Sequence, residues 1–191
     1  MSATINNAGG TSPIGGAAVR FVSWNVKGMK GPVKRSRIFS HLKQLKTDVL
    51  FLQETHLRLE DHTRLSKAWV NHIFHSKCNN RSRGVAILIN KRTQFSLTAI
   101  ISDPNGRYVI VSGLLFQTPV ILVNVYAPNL DDAEFANKLL SSLPNLDTHT
   151  LILAGDLNCT IDPLLDKSSP KSASPSIMSR VFSGCFEVAL L

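Results

Sequence analysis

The 191-residue chain reads as an α/β sandwich, two packed sheets with helices outside. Three observations predict it. Short apolar runs such as Val49–Leu52, Gly84–Ile89 and Leu151–Ala154 suit strands buried on both faces. Pro104-Asn105-Gly106, between Phe95–Ser102 and Arg107–Phe116, is a hairpin signal. Helical spacing is confined to a few segments. At 43% apolar residues, a chain of this length suits one domain with a sizeable core, and no internal repeat is visible.

Met1 to Ala18 is small, polar and Gly-rich, and cannot bury enough apolar surface to offset its ordering entropy, which predicts a flexible arm. Val19 to Asn25 forms a first strand, broken at Gly28 and Gly31-Pro32. From Val33 to Leu45, Ile38, Phe39, Leu42 and Leu45 recur at helical spacing, with Lys34, Arg35, Arg37 and Lys43 on the other faces. Asp48 to Glu54 is a second buried strand ending on a polar pair, Gln53 and Glu54. Leu59 to Lys67 suits a short helix and Trp69 to His75 a strand, followed by a basic loop, Ser76 to Arg83. After Gly84–Ile89 and the hairpin, Pro119 to Val125 is a β-branched strand running into Tyr126-Ala-Pro-Asn129. Asp131-Asp-Ala-Glu134 reads as a capped helix start with Phe135, Leu139 and Leu143 as its core stripe. Thr150 to Ala154 is the last core strand. It stops at Gly155, and alternation puts Asp156 and Asn158 on one side of its end. Lys167 to Pro175 is a polar loop, and Met178, Val181, Phe182, Cys185, Phe186, Ala189 and Leu190 follow a helical period.

Composition excludes some classes. No apolar run approaches a membrane span, and Met1 to Ala18 lacks the apolar core of a leader. Cys78, Cys159 and Cys185 lie far apart without zinc-site spacing, which predicts reduced thiols in an intracellular protein, nuclear or cytoplasmic. Residues 1–92 hold 16 of the 21 Lys and Arg but only four of the 13 acids. That asymmetry favours a polyanionic partner, nucleic acid before membrane, although a merely basic surface gives the same count.

Polar groups close four apolar strands: Asn25, Gln53–Glu54, Tyr126 after Asn124-Val125, and Asp156 with Asn158. Oxygen-rich ligands with no His or Cys cluster suit a hard cation such as Mg²⁺. Taken singly, Glu54 reads equally as a surface acid and Gly-Asp-x-Asn as turn chemistry. Their shared place at core strand ends is where layered α/β folds collect ligands.

The blocks Ser23-Trp-Asn-Val-Lys-Gly28, Leu52-Gln-Glu-Thr-His56, Gly84-Val-Ala-Ile-Leu-Ile89, Asn124-Val-Tyr-Ala-Pro-Asn129 and Gly155-Asp-Leu-Asn158 occur in that order. Together they resemble the endonuclease/exonuclease/phosphatase superfamily, most closely the endonuclease domain of LINE-type retrotransposons. The resemblance implies a four-layer α-β-β-α sandwich of DNase-like type, with residues 19–166 as the N-terminal two-thirds of the domain. It implies that Glu54 binds Mg²⁺ (or Mn²⁺), with Asn25, Asp156 and Asn158 also at the metal. Tyr126 would steady the phosphate, Asp156 would activate water and Asn158 would hold that water or the phosphate. Lys30, Lys34, Arg35, Arg81 and Arg83 are the candidate DNA phosphate contacts. The implied activity is DNA nicking that leaves a 3′-hydroxyl. Apurinic/apyrimidinic or exonuclease III-like repair is the alternative within the family, and a non-catalytic nucleic-acid-binding remnant lies outside it. Repair members commonly carry an acid where Lys27 stands.

The family's closing Ser-x-Ile-Asp-like and Ser-Asp-His blocks have no counterpart before Leu191. A missing C-terminal segment, or a larger retrotransposon polyprotein, is therefore the expected partner besides DNA. The expectation is a poorly soluble, feebly active chain, with the runs at Leu50–Leu52 and Leu151–Ala154 left as uncovered edges.

Overall fold

Along the central strands, residues of either parity are apolar, because each strand faces a core on both sides. Phe51 packs inward while its neighbours Leu50 and Leu52 pack outward, all three fully buried. The structure, a computed structural model, describes residues 18–76, 82–158 and 180. In chain order come β1 (Phe21–Asn25), α1 (Pro32–Gln44), β2 (Val49–Gln53), a 3₁₀ helix (Leu59–Leu65), β3 (Val70–His75) and β4 (Ala86–Asn90). Then follow β5 (Phe95–Ser102), β6 (Tyr108–Leu115), β7 (Thr118–Tyr126), α2 (Ala133–Ser141) and β8 (Thr150–Asp156).

The strands form two four-stranded sheets, ordered β1-β2-β4-β3 and β5-β6-β7-β8. Each has one parallel pair, β1 with β2 and β7 with β8; the other pairings are antiparallel. Phe51, Ile87 and Ile89 meet Val109, Val111, Val120 and Leu122 between the sheets. Ile38, Phe39 and Leu42 of α1 cover the outer face of the first sheet on Leu50, Leu52 and Leu88. Ala136 and Leu139 of α2 cover the second on Ile110, Ile121, Val123 and Leu153. The layers therefore run α-β-β-α, as the sequence predicts.

Local chemistry accounts for the element ends. Pro32 opens α1, where its missing N–H is no loss. The Asp132 carboxylate accepts from the Phe135 N–H at 2.9 Å and caps α2. Phe116 and Gln117 turn β6 into β7 with φ of 46° and 66°, a two-residue turn normally given to Asn and Gly and invisible in this sequence.

Four expectations need correction. β8 does not stop at Gly155: it pairs through Gly155 and Asp156, because the glycine lets β7 come close. The buried stripe of α2 is Ala136 and Leu139, with Phe135 and Leu143 only partly buried beside it. β2 is no uncovered edge, since β1 and β4 flank it on either side. The helix expected to Lys67 is a 3₁₀ turn ending at Leu65. The arm before Ala18, the three cysteines, Arg81 with the loop 77–81, the polar loop 167–175 and every residue of the tail periodicity lie outside the described residues. Among the described residues no helix is long and apolar enough to cross a membrane.

Candidate active site

The two parallel strand pairs point the same polar ends at one place. In the register of the first sheet Asn25 lies opposite Gln53, and in the second Tyr126 lies opposite Asp156. β1 also lies against β8 across the sandwich. The Asn25 Nδ2 group spans the gap, donating to Glu54 Oε1 and to Asp156 Oδ2, each at 2.8 Å. Its Oδ1 accepts from the Lys27 N–H at 3.0 Å, which fixes the plane of the amide.

Glu54 follows β2 with φ of 51°, a left-handed conformation that costs a non-glycine residue about 1–2 kcal/mol. Such strain is tolerated where the surroundings over-determine a functional residue. Lys27, His56 and Asn158, at 45°, 55° and 48°, share that conformation around the same cleft. Beyond Asp156 the strand alternation therefore breaks down. Asn158 turns back, donating from Nδ2 to the Ala127 carbonyl at 2.8 Å and to Asn129 Oδ1 at 3.1 Å. Its own N–H donates to Asp156 Oδ1 at 3.2 Å. Asp156 is half-buried and Asn158 exposed.

The Tyr126 phenol is held above its usual pKa, first by burial, then by the Glu54 charge and a hydrogen bond to the Glu54 carboxylate. It stays protonated at neutral pH. His56 Nε2 lies 3.4 Å from Glu54 Oε2, shielded from water and without a hydrogen bond. Gly28 leaves room for that ring: a Cβ there would sit 2.7 Å from His56 Nδ1.

Beneath the site two buried amides tie the sheets together. Gln53 Nε2 donates to Asn124 Oδ1 at 2.7 Å, and Asn124 Nδ2 donates to the carbonyls of Leu52 and Ala86 at 2.9 and 2.8 Å. Each would be costly to bury alone, and together they are satisfied.

Of the five candidate phosphate contacts, Lys30, Lys34 and Arg35 belong to the β1–α1 segment beside the site. Lys34 donates to the Lys27 carbonyl, and Arg35 to the carbonyls of Met29 and Lys30, so both side chains also hold this loop. Arg83 sits across the cleft, donating to the Asn105 carbonyl at 3.4 Å, while its own carbonyl accepts from the His56 N–H at 2.9 Å. A cavity of about 400 Å³ opens there, with Arg83, Asn105, Arg107 and Lys138 in its wall. Arg107 and His56 escape the sequence reading. The first signals itself only as the residue after a turn, the second only by membership of the Gln-Glu-Thr-His block.

Among the described residues neither Glu54 nor Asp156 has a Lys or Arg within 4.0 Å. Two carboxylates held 2.8 Å from one neutral amide, with no Lys or Arg opposite them among the described residues, fit a divalent cation. No group of three or more His, Cys, Asp or Glu gathers among the described residues. One or two carboxylates completed by water and phosphate oxygens is how Mg²⁺ is usually bound.

Comparison with known proteins bears on the family and the fold. The sequence profile of the Endonuclease/Exonuclease/phosphatase family matches residues 22–175. Over 162 residues the chain is 28% identical to the Transposon TX1 uncharacterized 149 kDa protein of Xenopus laevis, covering 83% of this chain and 12% of that protein. An AP endonuclease from Archaeoglobus fulgidus superposes with a TM-score of 0.63 at 18% identity, over 86% of this chain and 68% of the other. The Xenopus laevis APE2 catalytic domain gives 0.60 at 19%, over 85% and 66%. At such identities these likenesses speak for the fold.

Proposed function

Because the chain belongs to the endonuclease/exonuclease/phosphatase family, we propose that it is a divalent-metal-dependent DNA endonuclease of retrotransposon type, leaving a 3′-hydroxyl. The observation that carries this reading is the Asn25 amide suspended between Glu54 and Asp156, with Tyr126 opposite Asp156 in the strand register. Similarity to a transposon protein, and Lys27 where repair enzymes commonly carry an acid, support the retrotransposon branch.

Glu54 and Asp156 would hold Mg²⁺ or Mn²⁺, with the Asn25 and Asn158 amides beside them. When bound, the ion supplies Lewis-acid polarisation of the phosphoryl oxygens. An Asp156 carboxylate oxygen takes the proton of the attacking water, and Asn25 Nδ2 keeps that carboxylate oriented. Asn158, exposed at the mouth, holds the water or the phosphate. The Tyr126 O–H, kept protonated by burial and by Glu54, donates to a phosphoryl oxygen as negative charge builds there. Lys30, Lys34, Arg35, Arg81 and Arg83 neutralise flanking phosphates.

Supercoiled plasmid tests the reading. Nicking that requires Mg²⁺, stops with chelator and falls at least about 100-fold in Glu54→Gln is expected. A Glu54→Gln protein that nicks at the parent rate with unchanged metal dependence would overturn it. Faster cutting of abasic than of intact duplex would move the protein to the repair branch, and salt-sensitive binding without any cutting would make it a binding remnant.

A further inference from the structure

Arg107 is not a surface cation of the ordinary kind. It precedes β6, at the end of the hairpin that the buried Asp103 organises. The Asp103 carboxylate accepts from the Arg107 N–H at 2.9 Å, and its carbonyl accepts from the Gly106 N–H at 3.1 Å. From that anchored position Arg107 reaches Tyr126 in three ways. Its carbonyl accepts from the Tyr126 N–H at 2.7 Å. Its Nη1 donates to the carbonyls of Ala127 and Tyr126 at 3.0 and 3.4 Å. Its guanidinium carbon lies 5.3 Å from the centre of the Tyr126 ring, within stacking range. The ring is thus held on its face by Arg107, and Glu54 is the charge that weighs most on its phenol.

We propose that Arg107 is a positioning residue for Tyr126, clamping both the ring and the backbone around it so that the phenol stays at the two carboxylates. A guanidinium suits the task because it is planar and offers several donors in a fixed fork; a lysine ammonium keeps the charge but cannot stack and donate at once. The clamp spans two strand ends that no sequence pattern links. Its consequence for rate rests on the proposed role of Tyr126 at the phosphate, while the clamp itself does not.

Two measurements test the proposal. The chain has two tyrosines, Tyr108 and Tyr126. With 3-fluorotyrosine incorporated, Tyr126→Phe assigns the two ¹⁹F lines. Arg107→Ala and Arg107→Lys should each move or broaden the Tyr126 line. The Tyr108 line should change little, because that ring packs against Phe135 on the outer face. An unmoved Tyr126 line, or equal change in both, overturns the clamp whether or not the protein cuts DNA. In the nicking assay Arg107→Ala should lower kcat about ten-fold, with KM within about two-fold, since misplacing one group acts on the chemical step. In a Tyr126→Phe background the same change should cost less than about two-fold. Equal losses in both backgrounds, or a raised KM with a shallower salt dependence, would make Arg107 a direct DNA contact instead. Full activity in Arg107→Lys together with an unmoved Tyr126 line would also overturn the clamp, whereas full activity with a moved line would overturn only the role of Tyr126 at the phosphate. That variant carries both measurements if Arg107→Ala melts within the assay range.

Discussion

Asn25 and Asp156 are 131 residues apart in the chain, yet Nδ2 of one lies 2.8 Å from Oδ2 of the other. The same nitrogen serves Glu54, so one amide sets the spacing of both carboxylates. Asn25→Ala should leave the fold intact and lower nicking about 100-fold or more, because the acids then repel without a spacer. The assay is the plasmid rate across a Mg²⁺ titration. A rate within three-fold of the parent would show that the amide is dispensable.

Asn124 is fully buried and satisfies two carbonyls and the Gln53 amide. Asn124→Leu leaves those partners orphaned, and should lower stability by about 2–5 kcal/mol. Urea unfolding measures it. Gln53→Leu combined with Asn124→Leu should cost less than the sum of the single changes, since the two share partners.

Gly155 adopts φ of 147°, and a Cβ there would meet the Val125 carbonyl oxygen at 2.0 Å. Gly155→Ala must push β8 away from β7. The expected loss is on the order of 4 kcal/mol, with nicking abolished as Asp156 moves out of place. A folded Gly155→Ala protein with parent melting temperature would contradict that register.

His62 is 6% exposed, its ring stacked on that of His75 with centroids 3.3 Å apart. Burial first, and then the His75 charge, lower its pKa from 6.5 to about 4 against the pull of Asp61. The unfolded chain therefore binds the extra proton more readily. Stability contributed here is fully present above pH 6.5 and is lost as pH falls towards 4, by on the order of 3 kcal/mol. Urea midpoints from pH 7 to 4 should fall in the parent and flatten in His62→Leu. Parallel curves would show that His62 does not carry the dependence.

The basic side of the site should bind duplex DNA with an affinity that drops steeply with salt, because each neutralised phosphate releases counterions. Arg35→Ala should weaken binding and also loosen the Lys27–Lys30 loop, since its guanidinium holds two carbonyls there. Lys30→Ala should weaken binding and lower the salt slope while leaving the loop as it is. Fluorescence anisotropy against KCl separates the two, and a flat salt dependence would end the electrostatic account.

The sequence by itself determined the layers and which strands run into polar groups. Val49–Leu52 and Ile152–Ala154 are buried on both sides because nothing polar interrupts them, and that places Glu54 and Asp156 at the edge of a core. It also marked the Asn105-Gly106 turn and the Asp132 cap, whose chemistry is local. Only the tertiary structure decided that Asn25 faces both acids, that Arg107 lies on Tyr126, and that Asn158 turns back onto Ala127. These depend on sheet pairing, on β1 lying over β8, and on left-handed backbone at Glu54 and Asn158. Periodicity carries a residue's face along one strand; it carries neither the distance between strands far apart in sequence nor a conformation that tertiary contacts impose against local preference.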